Sequence, residues 1–244
     1  MTEALLDRHR VGPGWRCLEA GAGTGTVLLP LASRVRGRGG RADAVERSPE
    51  FARYLREKIK KRGWSHCRVI QSDILDAELP RNYYDLILAR WVFLFLPDVL
   101  GHLRRLAAAL KPGGILAVED YHRDGIAMYP PISNWGVMVE SDKAWFASQG
   151  GDLNIAGKLP GLYRKAGLKL VEVVPHSKAG GPASDVWKWA ETYFIGYLGK
   201  IAQFKPMTPS GARLFRREWL KRKLNPDSLL ISPTMLDVVG RKPR

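Results

Sequence analysis

The chain has 244 residues, 45% hydrophobic and 26% charged, which is enough apolar material for one folded domain and excludes a disordered chain. Its net charge of +15 raises the question of a nucleic-acid partner, but the basic residues are spread along the chain, which favours a solvated surface. Cys17 and Cys67 lack metal or redox spacing, the start of the chain has no signal-peptide pattern, and the best apolar run, Leu86 to Leu96, is broken by Arg90, so the expectation is a cytoplasmic protein without a membrane span or metal.

Residues 3–10 read as a short helix stopped by Gly12-Pro13-Gly14. A first strand at about 15–20 runs into Gly21-Ala22-Gly23-Thr24-Gly25, and a helix follows over about 25–36. A strand, a glycine turn and a helix together bring a ligand against bare backbone and unpaired helix N–H groups. Thr26 stands where a dinucleotide fingerprint would place its third glycine, and the acid Glu19 precedes the loop by two residues. That pairing suits a ligand with an amino-acid tail better than a pyrophosphate.

Strand two is 42–46, and Ser48-Pro49 opens a helix to about Lys61. Strand three is 68–71, and strand four, 85–89, is the continuous apolar run of a buried parallel strand. A helix at 98–110 ends in a tight turn at Lys111-Pro112-Gly113-Gly114, and strand five is 115–120. This alternation predicts right-handed βαβ units in a doubly wound α/β sheet. After Tyr121 the rhythm breaks. A helix at 159–166, strand six at 168–174, two amphipathic helices within 184–224 and a closing strand around 235–239 complete the chain.

Four stretches carry a resemblance: Leu18 to Gly25, Glu46 ending strand two, Asp73-Ile74 after strand three, and Leu110 to Leu116. In this order they resemble the class I S-adenosylmethionine-dependent methyltransferases, in the small-molecule branch similar to quinone-biosynthesis and natural-product enzymes. The end of the chain, Gly240-Arg241-Lys242-Pro243, is also similar to the family's last strand. The resemblance implies a Rossmann-like, seven-stranded, mostly parallel sheet with its last strand antiparallel. It implies one domain, with a cofactor core at 1–125, 159–181 and 227–244. A helical substrate cap is expected at 126–158 and 182–226, inserted after strand five and between strands six and seven.

S-adenosylmethionine is the implied cofactor and S-adenosylhomocysteine its product. Glu19 is expected to orient the ammonium, with Gly21, Ala22, Gly23 and Gly25 as the cradle. Glu46, with Arg47 beside it, is expected at the ribose, and Asp73 and Ile74 at the adenine. Arg90 and Trp91, after strand four, take the place that borders the cofactor in this branch.

The chemistry asks for alignment of a nucleophile with the methyl group and, where needed, for removal of a proton. His122, just beyond strand five, is the candidate base, with Asp120 and Tyr121 near it; His9, His66, His102 and His176 read as peripheral. Tyr121, Tyr129, Trp135, Trp189 and Tyr193 are the candidate substrate contacts, in an apolar roof. The expected reaction is methyl transfer to an O, N or C nucleophile of an apolar or aromatic small molecule. The alternatives are an RNA or nucleoprotein methyltransferase and a non-catalytic partner that binds the cofactor. A homodimer is compatible with the uncovered aromatic helices. A nicotinamide-dependent dehydrogenase is disfavoured by Thr26 and Asp73-Ile74.

Overall fold

The structure, a computed structural model, describes all 244 residues. Its first half alternates as the apolar runs dictate: α1 (Thr2–Arg8), β1 (Arg16–Ala20), α2 (Leu28–Val35), β2 (Arg41–Glu46), α3 (Pro49–Lys61), β3 (Cys67–Gln71), β4 (Tyr84–Arg90), α4 (Val99–Ala109) and β5 (Leu110–His122). Helix starts follow local chemistry. Ser48 Oγ accepts from the Phe51 N–H at 3.4 Å ahead of Pro49, and the Asp98 carboxylate accepts from the Gly101 N–H at 2.9 Å.

The second half contains β6 (Ala127–Tyr129), α5 (Trp135–Ser148), α6 (Ile155–Lys165), β7 (Lys169–His176), β8 (Ala179–Gly180), α7 (Asp185–Ile201), α8 (Pro209–Leu224), β9 (Leu229–Ile231) and β10 (Thr234–Arg241). The main sheet has the order β3-β2-β1-β4-β5-β10-β7, with β10 antiparallel to both neighbours and the other pairs parallel. The fold is therefore the seven-stranded, mostly parallel Rossmann-like sheet. The order reverses where β1 meets β4, which opens a crevice at their carboxyl ends.

Several boundaries differ from the expectations, each for a local reason. Helix α2 begins at Leu28, because Gly25 holds φ at +80° and keeps the chain in its turn. Residues 111–114 form the irregular start of β5. Tyr84 pairs with Leu110 and Leu86 with Ile115, so the extra residues bulge out of register. Helix α6 starts at Ile155, four residues early, because Ile155, Ala156, Leu159 and Tyr163 all lie buried on one face. The closing segment divides at Ser232-Pro233, so that β9 joins β6 and β8 in a second, three-stranded sheet and β10 enters the main one.

Buried side chains fill both faces of the main sheet. Ile87, Leu116 and Val238 face α4 and α6, while Leu86, Ala117 and Val239 face α1, α2 and α3. A third apolar cluster, including Met138, Trp187, Phe194, Phe215 and Trp219, ties α5, α7 and α8 to the small sheet. No helix is long and apolar enough to cross a membrane.

Candidate active site

The chain leaves β1 through a loop whose three glycines all hold positive φ: Gly21 at 76°, Gly23 at 51° and Gly25 at 80°. Their surroundings differ. A Cβ on Gly21 would stand 2.5 Å from Val92 Cγ2, and one on Gly25 would collide with Leu55, whereas one on Gly23 would meet nothing. Gly23 is bare because it faces a cleft.

Glu46, at the end of β2, is pinned across that loop. Its Oε2 accepts from the Gly23 N–H at 2.7 Å and its Oε1 from the Ser48 N–H at 2.8 Å. Each oxygen keeps a second lone pair for a ligand hydroxyl. Asp73 Oδ1 accepts from the Leu75 N–H at 3.0 Å, while Ile74 is buried beside it. Gly21, Gly23, Glu46, Arg47, Asp73 and Ile74 all line one cleft of about 360 Å³, with Trp91 at its wall. Ala22 is buried behind the loop and accepts from the Gly25 N–H at 2.8 Å.

Glu19 lies under the loop rather than in the cleft wall, and only 3% of it is exposed. Burial pushes its carboxyl well above the usual range, against the opposing pull of the Leu28 N–H and the Arg90 charge. Its Oε2 has no partner. A buried carboxylate oxygen without a donor is costly, and a ligand cation at the loop would relieve the cost. The bare glycine, the two free lone pairs on Glu46 and this orphaned oxygen together fit a ligand with an ammonium and a vicinal diol.

Arg90 does not line this cleft but lines a second one beside Trp91. It donates to Thr2 Oγ1 at 3.2 Å, lies 3.8 Å from the Glu119 carboxylate, and stacks over the Trp91 ring at 4.6 Å. Thr2 in turn donates to Glu119 at 2.5 Å. Glu119 is fully buried, and burial raises its carboxyl despite these donors.

Trp91 separates the cofactor-side cleft from a second cleft of about 530 Å³ beneath α7 and lines both. Its backbone is left-handed, with φ 55°. Its ring stacks on Tyr121 at 6.0 Å and 15°, and Tyr121 meets Trp189 at 6.2 Å. Asp120, next to Tyr121, turns inward and accepts from the Leu94 and Tyr121 N–H groups, each at 3.1 Å. Burial raises its carboxyl to about 7 against the pull of those N–H groups. It shapes the turn after β4 and lines neither cleft.

The remaining expected contacts are dispersed. His122 lies on the opposite pleat of β5 from Tyr121, against α6, where a Cβ on Gly157 would stand 3.5 Å from its Nδ1. It lines neither cleft. Tyr129 is 55% exposed on β6. Trp135 packs against Phe194 and Phe215 in the third apolar cluster. Tyr193 stacks on Trp189, but its hydroxyl donates to buried Asp142 at 2.7 Å, under the Arg123 guanidinium.

The histidine that does line the second cleft is His176, which ends β7. Its Nε2 donates to Asp237 Oδ2 at 2.8 Å, and Asp237 is fully buried. An acid in the middle of an apolar closing strand is the signal that could have found it, because such a group needs a partner.

Residues 18–118 match a family model described as a methyltransferase domain. The chain is 30% identical over 117 residues to an aklanonic acid methyltransferase of a Streptomyces species, covering 48% of this chain and 53% of that protein. It is 21% identical to a demethylmenaquinone methyltransferase of Anoxybacillus flavithermus, over 70% of this chain and 77% of that one. The chain thus spans about half the length of the first relative and most of the second. A geranyl diphosphate methyltransferase solved with S-adenosylmethionine shares the fold at TM-score 0.61 and 16% identity, covering 99% of this chain and 84% of that one.

Proposed function

We infer that this chain, a class I S-adenosylmethionine-dependent methyltransferase, transfers a methyl group to an O, N or C nucleophile of an aromatic or apolar small molecule. When bound, S-adenosylmethionine supplies a methyl carbon made electrophilic by its sulfonium. The chain's own residues hold and align the reactants. Glu19 answers the ammonium, Glu46 accepts from the ribose hydroxyls, and Asp73 with Ile74 takes the adenine. The support for this reading is the orphaned oxygen of Glu19, two residues ahead of a loop whose bare Gly23 lines the cleft and donates to Glu46.

The acceptor belongs in the second cleft, where Trp91, Tyr121 and Trp189 offer flat apolar faces beside the cofactor cleft. Those rings exclude water and fix the plane of the acceptor, which is most of what an in-line displacement requires. Helix α7 covers it, with α5 and α8 packed behind in the third apolar cluster. Incubation with methyl-labelled S-adenosylmethionine and a panel of hydroxylated and aminated aromatic compounds tests the reading. Label recovered in an aromatic product supports it. S-adenosylhomocysteine binding without label transfer to any member would favour the non-catalytic partner instead.

A further inference from the structure

The second cleft is aromatic at one end, where Met1 and Arg90 also line it and buried Glu119 at 3.8 Å answers the Arg90 charge, and it is basic at the other. Trp91, Tyr121 and Trp189 stand at the end that adjoins the cofactor cleft, while His176 ends β7, two strands away from β5 in the sheet, and Lys178 follows it. His176 is fixed rather than free. Asp237 Oδ2 accepts from its Nε2 at 2.8 Å and from Arg8 Nη2 at 2.7 Å. Arg8 is shared with Glu172, to which it donates at 2.9 and 3.1 Å, and His9 also meets Glu172 at 3.0 Å, so the imidazole of His176 is oriented by Asp237 without being its sole partner. Its Nδ1 makes no hydrogen bond within the chain, on a side chain that lines the cleft.

Lys178 is fixed through its backbone. Its N–H donates to Ser232 Oγ at 3.0 Å, and its carbonyl accepts from the Ser232 N–H at 2.7 Å. Its ammonium enters no salt bridge of the chain. The acid on the facing helix, Asp185, is wholly solvent-exposed and paired with Lys188 at 3.2 Å. Water and that lysine screen it, so it does not cancel the basic end.

Resting on the methyltransferase reading above, we propose that the acceptor is a planar aromatic molecule bearing an acidic group, a carboxyl or an acidic hydroxyl. The ring lies along Trp91, Tyr121 and Trp189. The acidic group reaches Lys178 and His176 Nδ1, which accepts from an acidic O–H or, with the ring doubly protonated, donates to the anion. The dyad sets which acceptor is bound and how it lies; the atom that is methylated is at the other, Trp91 end.

Calorimetry on the S-adenosylhomocysteine-bound protein tests this with two probes of one shape, 2-naphthoate and the neutral 2-naphthamide. The naphthoate binds about tenfold tighter in the wild type, as expected for one charge-assisted hydrogen bond. Lys178→Met, and Lys178→Met with His176→Gln, remove the preference while the naphthamide affinity holds. Lys178 is exposed, so the single variant remains informative if the double one folds poorly. Equal affinities in the wild type, a preference that survives in Lys178→Met and in the double variant, or no binding of either probe overturns the proposal. S-adenosylhomocysteine is titrated first in the same sample. Its failure to bind refutes the methyltransferase reading itself, whereas its binding without a naphthoate preference refutes only the acidic acceptor.

Discussion

Trp91 stacks on Tyr121 with ring centroids 6.0 Å apart and planes within 15°, and it does so from a left-handed backbone with φ 55°. For a bulky side chain that conformation costs about 1–3 kcal/mol. It is held by the Trp91 N–H on the Glu119 carbonyl at 3.0 Å and by Asp120, which caps the turn that follows. The strain puts one indole in the walls of both clefts.

Trp91→Gly separates strain from function. Glycine takes the same φ freely, so relief of strain offsets the lost stacking of about 1 kcal/mol. The melting temperature is expected to move by less than about 4 °C, while turnover of an aromatic acceptor falls at least about tenfold. Thermal melts and steady-state kinetics on one preparation check this. Retained turnover would remove Trp91 from the site.

The loop glycines make a matched pair. Gly25→Ala drives a Cβ into Leu55 at an unfavourable φ, and should cost about 2 kcal/mol or more of stability. Gly23→Ala meets no protein atom, so it should cost only about 1 kcal/mol of backbone strain. It nevertheless puts a methyl group into the cleft and should weaken S-adenosylhomocysteine binding at least about tenfold. Denaturant melts and calorimetry read the two effects separately.

Glu19 gives a pH dependence with a definite sign. Its folded carboxyl is raised well above the usual range by burial. As pH climbs past the unfolded value, the unfolded state gives up its proton before the folded state does, so this group takes stability away from the ligand-free protein. Fully buried Glu119, and Asp120 raised to about 7, push the same way, so ligand-free stability should fall as pH rises from about 4 to about 7. Glu19→Gln should flatten part of that fall, stabilise the ligand-free protein at pH about 8, and weaken S-adenosylhomocysteine binding. Melts across pH check the first two effects. A variant that binds as tightly as the wild type would exclude an ammonium contact.

Arg123 and Asp142 join the end of β5 to α5 through an ion pair of 2.8 Å, with both side chains essentially unexposed. Removing one charge strands the other, at about 3–5 kcal/mol. Arg123→Met alone should therefore destabilise by that amount, and Arg123→Met with Asp142→Leu should recover most of it. A double-mutant cycle in urea measures the coupling. Additive losses would show that the pair does not act as a unit.

What could be read in the sequence was what short-range chemistry dictates. The glycine loop, Glu46, Arg47 and Asp73-Ile74 meet in one cleft because each ends or follows a strand, and strand ends gather at one edge of a parallel sheet. Which side chain faces which way along that edge depends on pleat parity and on strand order. Tyr121 and His122 are adjacent in sequence, yet one faces the second cleft and the other faces α6. His176 reads as peripheral until β10 is placed between β5 and β7, which sets Asp237 beneath it. Trp135 and Trp189 are both candidate substrate contacts in the sequence, yet one is on α5 and the other on α7. Only the packing of α7 against α5 and α8 separates the core ring from the one over the cleft.

Titration calorimetry with S-adenosylhomocysteine tests most directly what the glycine loop holds. Saturable one-to-one binding is predicted, lost in Glu46→Ala and in Gly23→Ala while both variants stay folded. No binding of S-adenosylhomocysteine would contradict it, and tight binding of a nicotinamide dinucleotide in its place would point to a dehydrogenase instead.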